Sequence, residues 1–515
     1  MKLLSRLFFC FNNSRFSGSA VISRHWSSTM STDSYLDLVK NKLSALKAKF
    51  YFNRGEIDVI YSPAEFYGTL KSKILKAEKR IFLASLYLGK TEDELVNCLE
   101  EALKNNPKLK VYFLVDGLRG TREAPSKCSA TLLAQLLKDY EDRVDLRLYK
   151  TPAVVGWKES VIPKRFNEGL GLQHMKIYGF DDEVLLSGAN LSSDYFTNRQ
   201  DRYYLFKSKP FAEYYFQLHQ LISKLSFKVT PSNNLQKFRL CWPKTNLADE
   251  PKYSKKKFIA QSTEQLRNFL QGTYETQQTT NREFHRSSDS PTIVYPISQF
   301  TPLFVTSHDY STEKPTLLSV LSTITHPSIN WTFTAGYFNM LPDIMRKLIS
   351  TPSTNCTVIT ASPYANGFFK SKGVSSNLPG AYLHLSKKFL ENVKRCGKES
   401  NITLREWQRG IVNQPGGWSY HAKGIWISDI NEGDDRPLLT CIGSSNYTRR
   451  AYSSDLETNA LIVTTDKELR DKMKNELNNL IKYTKPVNLS NFENEPERKI
   501  SVGVKIATAI LGSKL

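Results

Sequence analysis

Apolar residues in this chain switch between helical spacing and short strand-length runs in an order that is written twice. The first series begins with helical spacing at Ala64–Glu78, followed by an apolar strand at Arg80–Leu88. A helix near Glu92–Asn105 precedes a strand at Lys110–Asp116, and a helix near Ala130–Tyr140 precedes Val144–Tyr149. The second series predicts a helix near Thr316–Ile324, then a strand at Trp331–Asn339. A helix near Leu341–Ser350 precedes Cys356–Ala361, and a helix near Ser386–Cys396 precedes Ile402–Trp407. Helices alternating with short strands predict α/β units, and the shared order predicts an internal duplication. The polar segment Gln271–Asp289 and the basic run Lys252–Lys257 place a linker or insertion at 243–294, between domains over 45–242 and 295–488.

Each series ends on the same constellation. His174 and Lys176 in the first, and His421 and Lys423 in the second, stand two apart on alternating segments, so each pair shares one strand face. Small-residue turns ending in Asn190 and Asn446 follow, and a carboxylate comes eleven residues after each, Asp201 and Glu457. One such set is weak evidence, since a lone His beside a surface Lys is commonplace. Two sets at equal internal spacing predict two half-sites that meet in one active centre.

Phosphodiester exchange fits these residue types. One imidazole attacks phosphorus and becomes a phospho-histidine. The other protonates the leaving group and then takes the proton of the incoming alcohol. The lysines and asparagines hold the non-bridging oxygens as charge builds there, and the carboxylates fix each imidazole's tautomer through its second nitrogen. No metal site and no cofactor are expected. Gly89-Lys90-Thr91 lacks the upstream glycine of a nucleotide phosphate loop.

These residues resemble the phospholipase D superfamily, whose signature is H-x-K-x4-D followed by G-S-x-N. His174, Lys176 and Asp181 match its first part, but Gly188 stands where the usual Ser would be in Ser187–Asn190. In the second copy His421, Lys423 and Gly443-Ser444-Ser445-Asn446 match, while Ser428 occupies the Asp position and Asp429 follows one residue later. The flanking segments Phe82–Gly89, Gln173–Tyr178, Ser187–Tyr204 and Gln414–Lys423 are similar to those of eukaryotic mitochondrial phosphatidylglycerophosphate synthases, fungal ones in particular. The resemblance implies an α/β fold of two duplicated phospholipase D-like domains, each a mixed sheet flanked by helices, with one active site at their interface. It also implies CDP-diacylglycerol and glycerol 3-phosphate as partners and His174 as the nucleophile. Candidate substrate-binding residues are Ser444, Arg199, Arg202, Arg449 and Arg450; ion pairing within the fold is the alternative for the arginines. Alternatives for the whole chain are a phosphatidylserine synthase or cardiolipin synthase of the same superfamily, a mitochondrial phospholipase D-like nuclease, or a lipid-binding module with a dead site. Interleaved aromatics suited to base stacking form no compelling cluster, so a nucleic-acid partner is not expected.

A net charge of +21 over 515 residues favours an anionic partner, which includes a membrane surface or a phosphate-rich substrate. No run approaches the ~18 apolar residues of a spanning helix, so action on lipid would be from the membrane surface. Residues 1–30 carry Arg6, Arg15 and Arg24, many serines and no acid, the pattern of a mitochondrial transit peptide. The closing Ser513-Lys514-Leu515 is a peroxisomal address on paper; the N-terminal signal, made first, is ranked above it. The tail 489–515 contains a possible amphipathic helix at Ile500–Leu511. The insertion Lys150–Asn167, with Trp157, Lys158, Lys164 and Arg165, is either a membrane-interface loop or a surface loop with one packed Trp. The seven cysteines (Cys10, Cys98, Cys128, Cys241, Cys356, Cys396 and Cys441) are scattered without a C-x-x-C pair, and are expected to be ordinary thiols.

Overall fold

In the computed structural model, which describes residues 32–156, 161, 167–272 and 290–512, the runs Arg80–Ser85, Lys110–Asp116 and Val144–Tyr149 lie side by side as parallel strands. Their near-continuous apolar character suits strands covered on both faces. On one flank Ile177–Phe180, Glu183–Ser187, Tyr203–Lys207 and Ile57–Ile60 continue the sheet antiparallel. On the other, Phe227–Pro231 and Phe238–Cys241 complete nine strands.

The second sheet repeats this order. Ile329–Ala335, Cys356–Ala361 and Ile402–Trp407 form its parallel centre. Lys423–Asp429, Pro437–Gly443, Glu457–Thr464 and Thr292–Gln299 extend one flank, and Thr484–Val487 closes the other. Its ninth strand comes from far upstream, because Phe50–Phe52 pairs antiparallel with Thr292–Val294. The helix Thr32–Leu43 also packs Tyr35, Leu36, Val39 and Leu43 into the second core. The helix and the strand of residues 32–52 thus attach to the second core and sheet, while the Phe50 and Phe52 rings pack on Phe206 and Phe211 of the first half; the expected start of the first domain at 45 falls inside this arm. Within the linker or insertion expected at 243–294, Lys255–Gln271 is a helix that buries Phe258 and Leu266, and Thr292 begins a strand.

The helices form where sequence gives them starts and faces. Ser62 caps Pro63–Lys76 in a capping box with Glu65, and Phe66, Leu70 and Ile74 form its buried stripe. This helix, with Asp93–Asn105 and Ser129–Tyr140, covers the outer face of the first sheet. Glu313–Leu321, Pro342–Ile349 and Leu378–Arg395 cover the outer face of the second. Between the two sheets lie Lys209–Ser223 and Lys467–Ile481, in a core where Met175, Ile177 and Tyr204 of the first half join Tyr420, Ala422 and Trp426 of the second.

A buried ion pair also joins the halves. Arg202 donates to both oxygens of Glu476 at 2.7 and 3.0 Å, to the carbonyl of Cys441 at 2.7 Å and to Thr440 Oγ1 at 2.8 Å. Its guanidinium lies 3.9 Å from the Trp426 ring centre. An Arg202→Ala chain is expected to lose about 3–5 kcal/mol of stability, because Glu476 stays buried without its cation. A urea unfolding midpoint equal to that of the parent would reject this.

The six described cysteines are free thiols. Among the described residues no helix is long and apolar enough to cross a membrane. The expected transit peptide 1–30, the closing Ser513-Lys514-Leu515 and Cys10 lie outside the described residues, as do Trp157, Lys158, Lys164 and Arg165 of the insertion.

Candidate active site

The two His segments enter the centre by the same device. The N–H of His174 donates to the carbonyl of Leu456 at 2.9 Å, and the N–H of His421 donates to the carbonyl of Gln200 at 2.8 Å. Each imidazole segment is thus laced to the opposite half, at the residue just before that half's carboxylate. Ser419–Tyr420 and Arg199–Gln200 make a short parallel pair beside one of these junctions. The carboxylates consequently cross over. Nδ1 of His174 lies 2.8 Å from Oε1 of Glu457, and Nδ1 of His421 lies 2.6 Å from Oδ2 of Asp201.

Both carboxylates are almost fully shielded from solvent, and both histidines border one cavity of about 360 Å³ with Asn190 and Asn446. Lys176 Nζ donates to the carbonyl of His174 at 2.7 Å, and Lys423 Nζ lies 3.0 Å from His421 Nδ1. Asn190 Nδ2 donates to the Tyr195 hydroxyl at 3.2 Å, and each Asn leaves its amide oxygen without a hydrogen bond among the described residues. Rotation of these amides can present NH₂ donors to phosphate oxygens.

The two dyads differ in detail. Ser444 donates to Oε2 of Glu457, holding the carboxylate that faces His174. At the equivalent place in the first half a Cβ on Gly188 would come within 2.6 Å of Asp201 Oδ1 and 2.8 Å of Lys423 Nζ. A serine side chain there would meet the Asp201 carboxylate first and then the lysine of the other half. The Tyr195 hydroxyl lies 3.2 Å from His421 Nε2, whereas His174 Nε2 has no hydrogen bond among the described residues.

Burial sets the proton affinities. It pushes Glu457 up to about 7 and Asp201 up to about 6, against the pull of the two lysines. Burial, then the charge of the neighbouring lysine, holds His174 and His421 below the ordinary imidazole range. An ionised Glu457 accepts the His174 Nδ1 proton and leaves the Nε2 lone pair toward the cavity; a protonated one favours the opposite tautomer. Turnover is therefore expected to rise with pH through about 7, and a Glu457→Gln chain to lose that limb of its pH–rate profile. Stability runs the other way. A carboxyl with a raised affinity favours the fold while protonated, and that contribution is lost as pH climbs from the ordinary carboxylate range through about 6 and 7.

The chain is 60% identical over 510 residues to a CDP-diacylglycerol–glycerol-3-phosphate 3-phosphatidyltransferase of Saccharomyces pastorianus, covering 98% of this chain and 97% of that one. It is 34% identical over 486 residues to the mitochondrial enzyme of that name in Homo sapiens, covering 90% and 84%.

The chain belongs to the CDP-diacylglycerol–glycerol-3-phosphate 3-phosphatidyltransferase family.

No protein-family model matches the chain. The fold of this phosphatidyltransferase family member is that of the solved phosphatidylserine synthase of Haemophilus influenzae Rd KW20, at a TM-score of 0.65 and 19% identity over 93% of this chain and 98% of that one. The fold is phospholipase D-like, with two mixed sheets flanked by helices, as the resemblance implied.

Lys176, Lys423, Asp201 and Glu457 are buried behind the histidines and do not line the cavity wall, and Asp181, Ser444, Arg202, Arg449 and Asp429 also lie off it. Asp181 sits in a turn with φ 50°, and its carboxylate accepts from the backbone N–H groups of Glu78, Lys79 and Arg80 at 2.8, 2.8 and 2.9 Å. It fixes the entry to strand Arg80–Ser85 and is no part of the centre. Ser444 is fully buried and serves Glu457. Arg202 is spent in the interface with Glu476. Arg449 is exposed and borders a different cavity. Asp429 bonds to Thr32 and Asn431 at the far end of its strand from Lys423.

Arg199 and Arg450 do border the active cavity, each held by an acid, Asp194 at 2.7 Å and Asp455 at 3.0 Å. Arg119, Arg122 and Tyr195 border it as well and were not anticipated. Tyr195 follows Asn190 by five residues, which is the one signal that could have found it. Among the described residues no three His, Cys, Asp or Glu side chains converge as a metal-binding group.

Proposed function

We propose that this chain moves the phosphatidyl group of CDP-diacylglycerol to sn-glycerol 3-phosphate, giving phosphatidylglycerophosphate and CMP, through a phosphatidyl-histidine. The observation that carries the mechanism is the pair of crossed imidazole–carboxylate dyads on one cavity. His174 Nε2 attacks the phosphorus that bears diacylglycerol, the bond to the CMP oxygen breaks, and CMP departs. His421 supplies a proton to that oxygen. In the second half-reaction a glycerol hydroxyl gives its proton to His421 and attacks the same phosphorus, and the P–N bond to His174 breaks. Lys176, Lys423, Asn190 and Asn446 bear on the non-bridging oxygens.

The unencumbered Nε2 of His174 supports its role as nucleophile. The Tyr195 hydroxyl beside His421 Nε2 supports an acid and base role there. The donor's phosphates bring negative charge beside His421, which raises its proton affinity against the lowering that burial and the neighbouring lysine impose. Arg199, Arg450, Arg119 and Arg122 are the candidates for the phosphate of the acceptor.

The mitochondrial names of the animal relatives and the acid-free, arginine-bearing segment 1–30 support a mitochondrial location. The lipid donor and the net charge of +21 support peripheral attachment to the inner membrane and contact with anionic lipid. Purified chain given CDP-diacylglycerol with glycerol 3-phosphate, serine, phosphatidylglycerol or water in turn tests the activity. CMP release that depends on glycerol 3-phosphate is the expected result. Dependence on serine or phosphatidylglycerol reassigns the acceptor, and DNA cleavage without CMP release overturns the reading.

A further inference from the structure

The C-terminal helix Val502–Leu511 presents an apolar stripe to solvent. Val502 is 70% exposed and Ile506 55% exposed, one turn apart, and Ala509 and Lys505 share that outward side. The opposite side is anchored. Thr508 is buried, Val504 lies against Gly380 on the helix Leu378–Arg395, and Asn339 Nδ2 donates to the carbonyl of Gly512 at 2.7 Å. The stripe is thus a fixed feature of the surface.

Its surroundings are basic. Lys387 and Lys388 on Leu378–Arg395, with Lys505 and Arg449, have no carboxylate partner among the described residues, and Glu391 is the acid on that stretch of helix. Lys388 and Arg449 also rim a cavity of about 490 Å³ whose walls include Phe338, Met340, Met345 and Leu385. The helix that carries these lysines also reaches the active centre. Tyr382, on the same helix, borders the catalytic cavity and stacks on Tyr337 at 5.5 Å.

We propose that the helix Val502–Leu511, with the basic side chains around it, docks the protein onto an anionic phospholipid bilayer and so presents the catalytic cavity to its lipid donor. An apolar stripe one helix wide, bordered by unpaired cations, matches the layering of a membrane interface, with acyl chains beneath and phosphates above. This rests on the proposed lipid substrate, and the two readings fail separately.

The test uses the full chain with residues Val502→Asp and Ile506→Asp, and phosphatidylcholine vesicles with or without phosphatidylglycerol. Sedimentation with anionic vesicles is expected to fall by about tenfold or more. Transfer measured in detergent micelles, where no bilayer has to be reached, should stay at the parental rate. Loss of micellar transfer by the parent chain itself would remove the functional reading. A variant that binds vesicles as well as the parent overturns the docking.

A second probe does not depend on disruptive charges. Ile506→Cys in a Cys396→Ser chain, labelled with an environment-sensitive dye, should shift to the blue with anionic vesicles, while the same dye at Leu235→Cys should not. No shift at position 506, or an equal shift at both, overturns the proposal. So does a change from dimer to monomer in the double Asp variant with vesicle binding intact, which would make the stripe a contact between two copies.

Discussion

A His174→Ala chain incubated with CDP-diacylglycerol labelled in its phosphatidyl group is expected to carry no label and to lose turnover by about four orders of magnitude or more, as removal of an enzyme nucleophile does. His421→Ala should lose overall turnover comparably and yet accumulate label. The reason lies in the two leaving groups. CMP departs as a phosphate monoester, whose second proton has an affinity of about 6, so the first half-reaction proceeds, slowly, without an acid. The acceptor alcohol is far more basic and needs His421 to take its proton before it can attack. The labelled adduct therefore forms and waits. Denaturing gel analysis with acid- and base-stability of the label separates a phosphoramidate from an ester. Label trapped on the His174→Ala chain, and absent from His421→Ala, would exchange the two roles.

The crossing of the dyads gives the second large effect. Glu457→Gln should slow labelling of the protein by about 10³- to 10⁴-fold, the scale on which an orienting carboxylate acts on its imidazole. Asp201→Asn should slow labelling far less, and slow its discharge by a similar factor. The carboxylate of each half would thus govern the step run by the other half's histidine. A double-mutant cycle sharpens this: once His174 is alanine, Glu457→Gln should cost nothing more, and likewise for Asp201 once His421 is gone. Pairing within each half predicts the opposite pattern of labelling and discharge.

Much of the fold was legible in the sequence. Lys110–Asp116, Val144–Tyr149, Cys356–Ala361 and Ile402–Trp407 are strands at the bounds expected, because short apolar runs between turn residues have few other structures open to them. The repeat of element order fixed the repeat of sheet order. The crossing was not legible, because each carboxylate follows its own Asn by eleven residues whichever histidine it serves. Only the lacing of His174 to Leu456 and of His421 to Gln200 decides that.

The pairing of residues 50–52 with the second sheet was not legible for a similar reason. An edge strand of three residues can join either sheet, and its pairing with Thr292–Val294 depends on which edge stands open. Asp181, Ser444 and Arg202 were expected in the site because they lie in or beside the motifs. The structure spends them on a strand entry, a carboxylate and an interface. Arg119, Arg122 and Tyr195 went unnoticed because a lone arginine or tyrosine carries no pattern until the chain brings it to a cavity.

The arm formed by residues 32–52 has a consequence in time. It leaves the ribosome early, yet its partners in the second core, from Tyr295 to Phe492, are made last. His174 likewise waits for Glu457. A nascent chain therefore holds one imidazole with no carboxylate to orient it and no second histidine to complete the exchange. Chemistry therefore begins only when nearly the whole polypeptide has been made, and a chain cut short before Glu457 is catalytically silent.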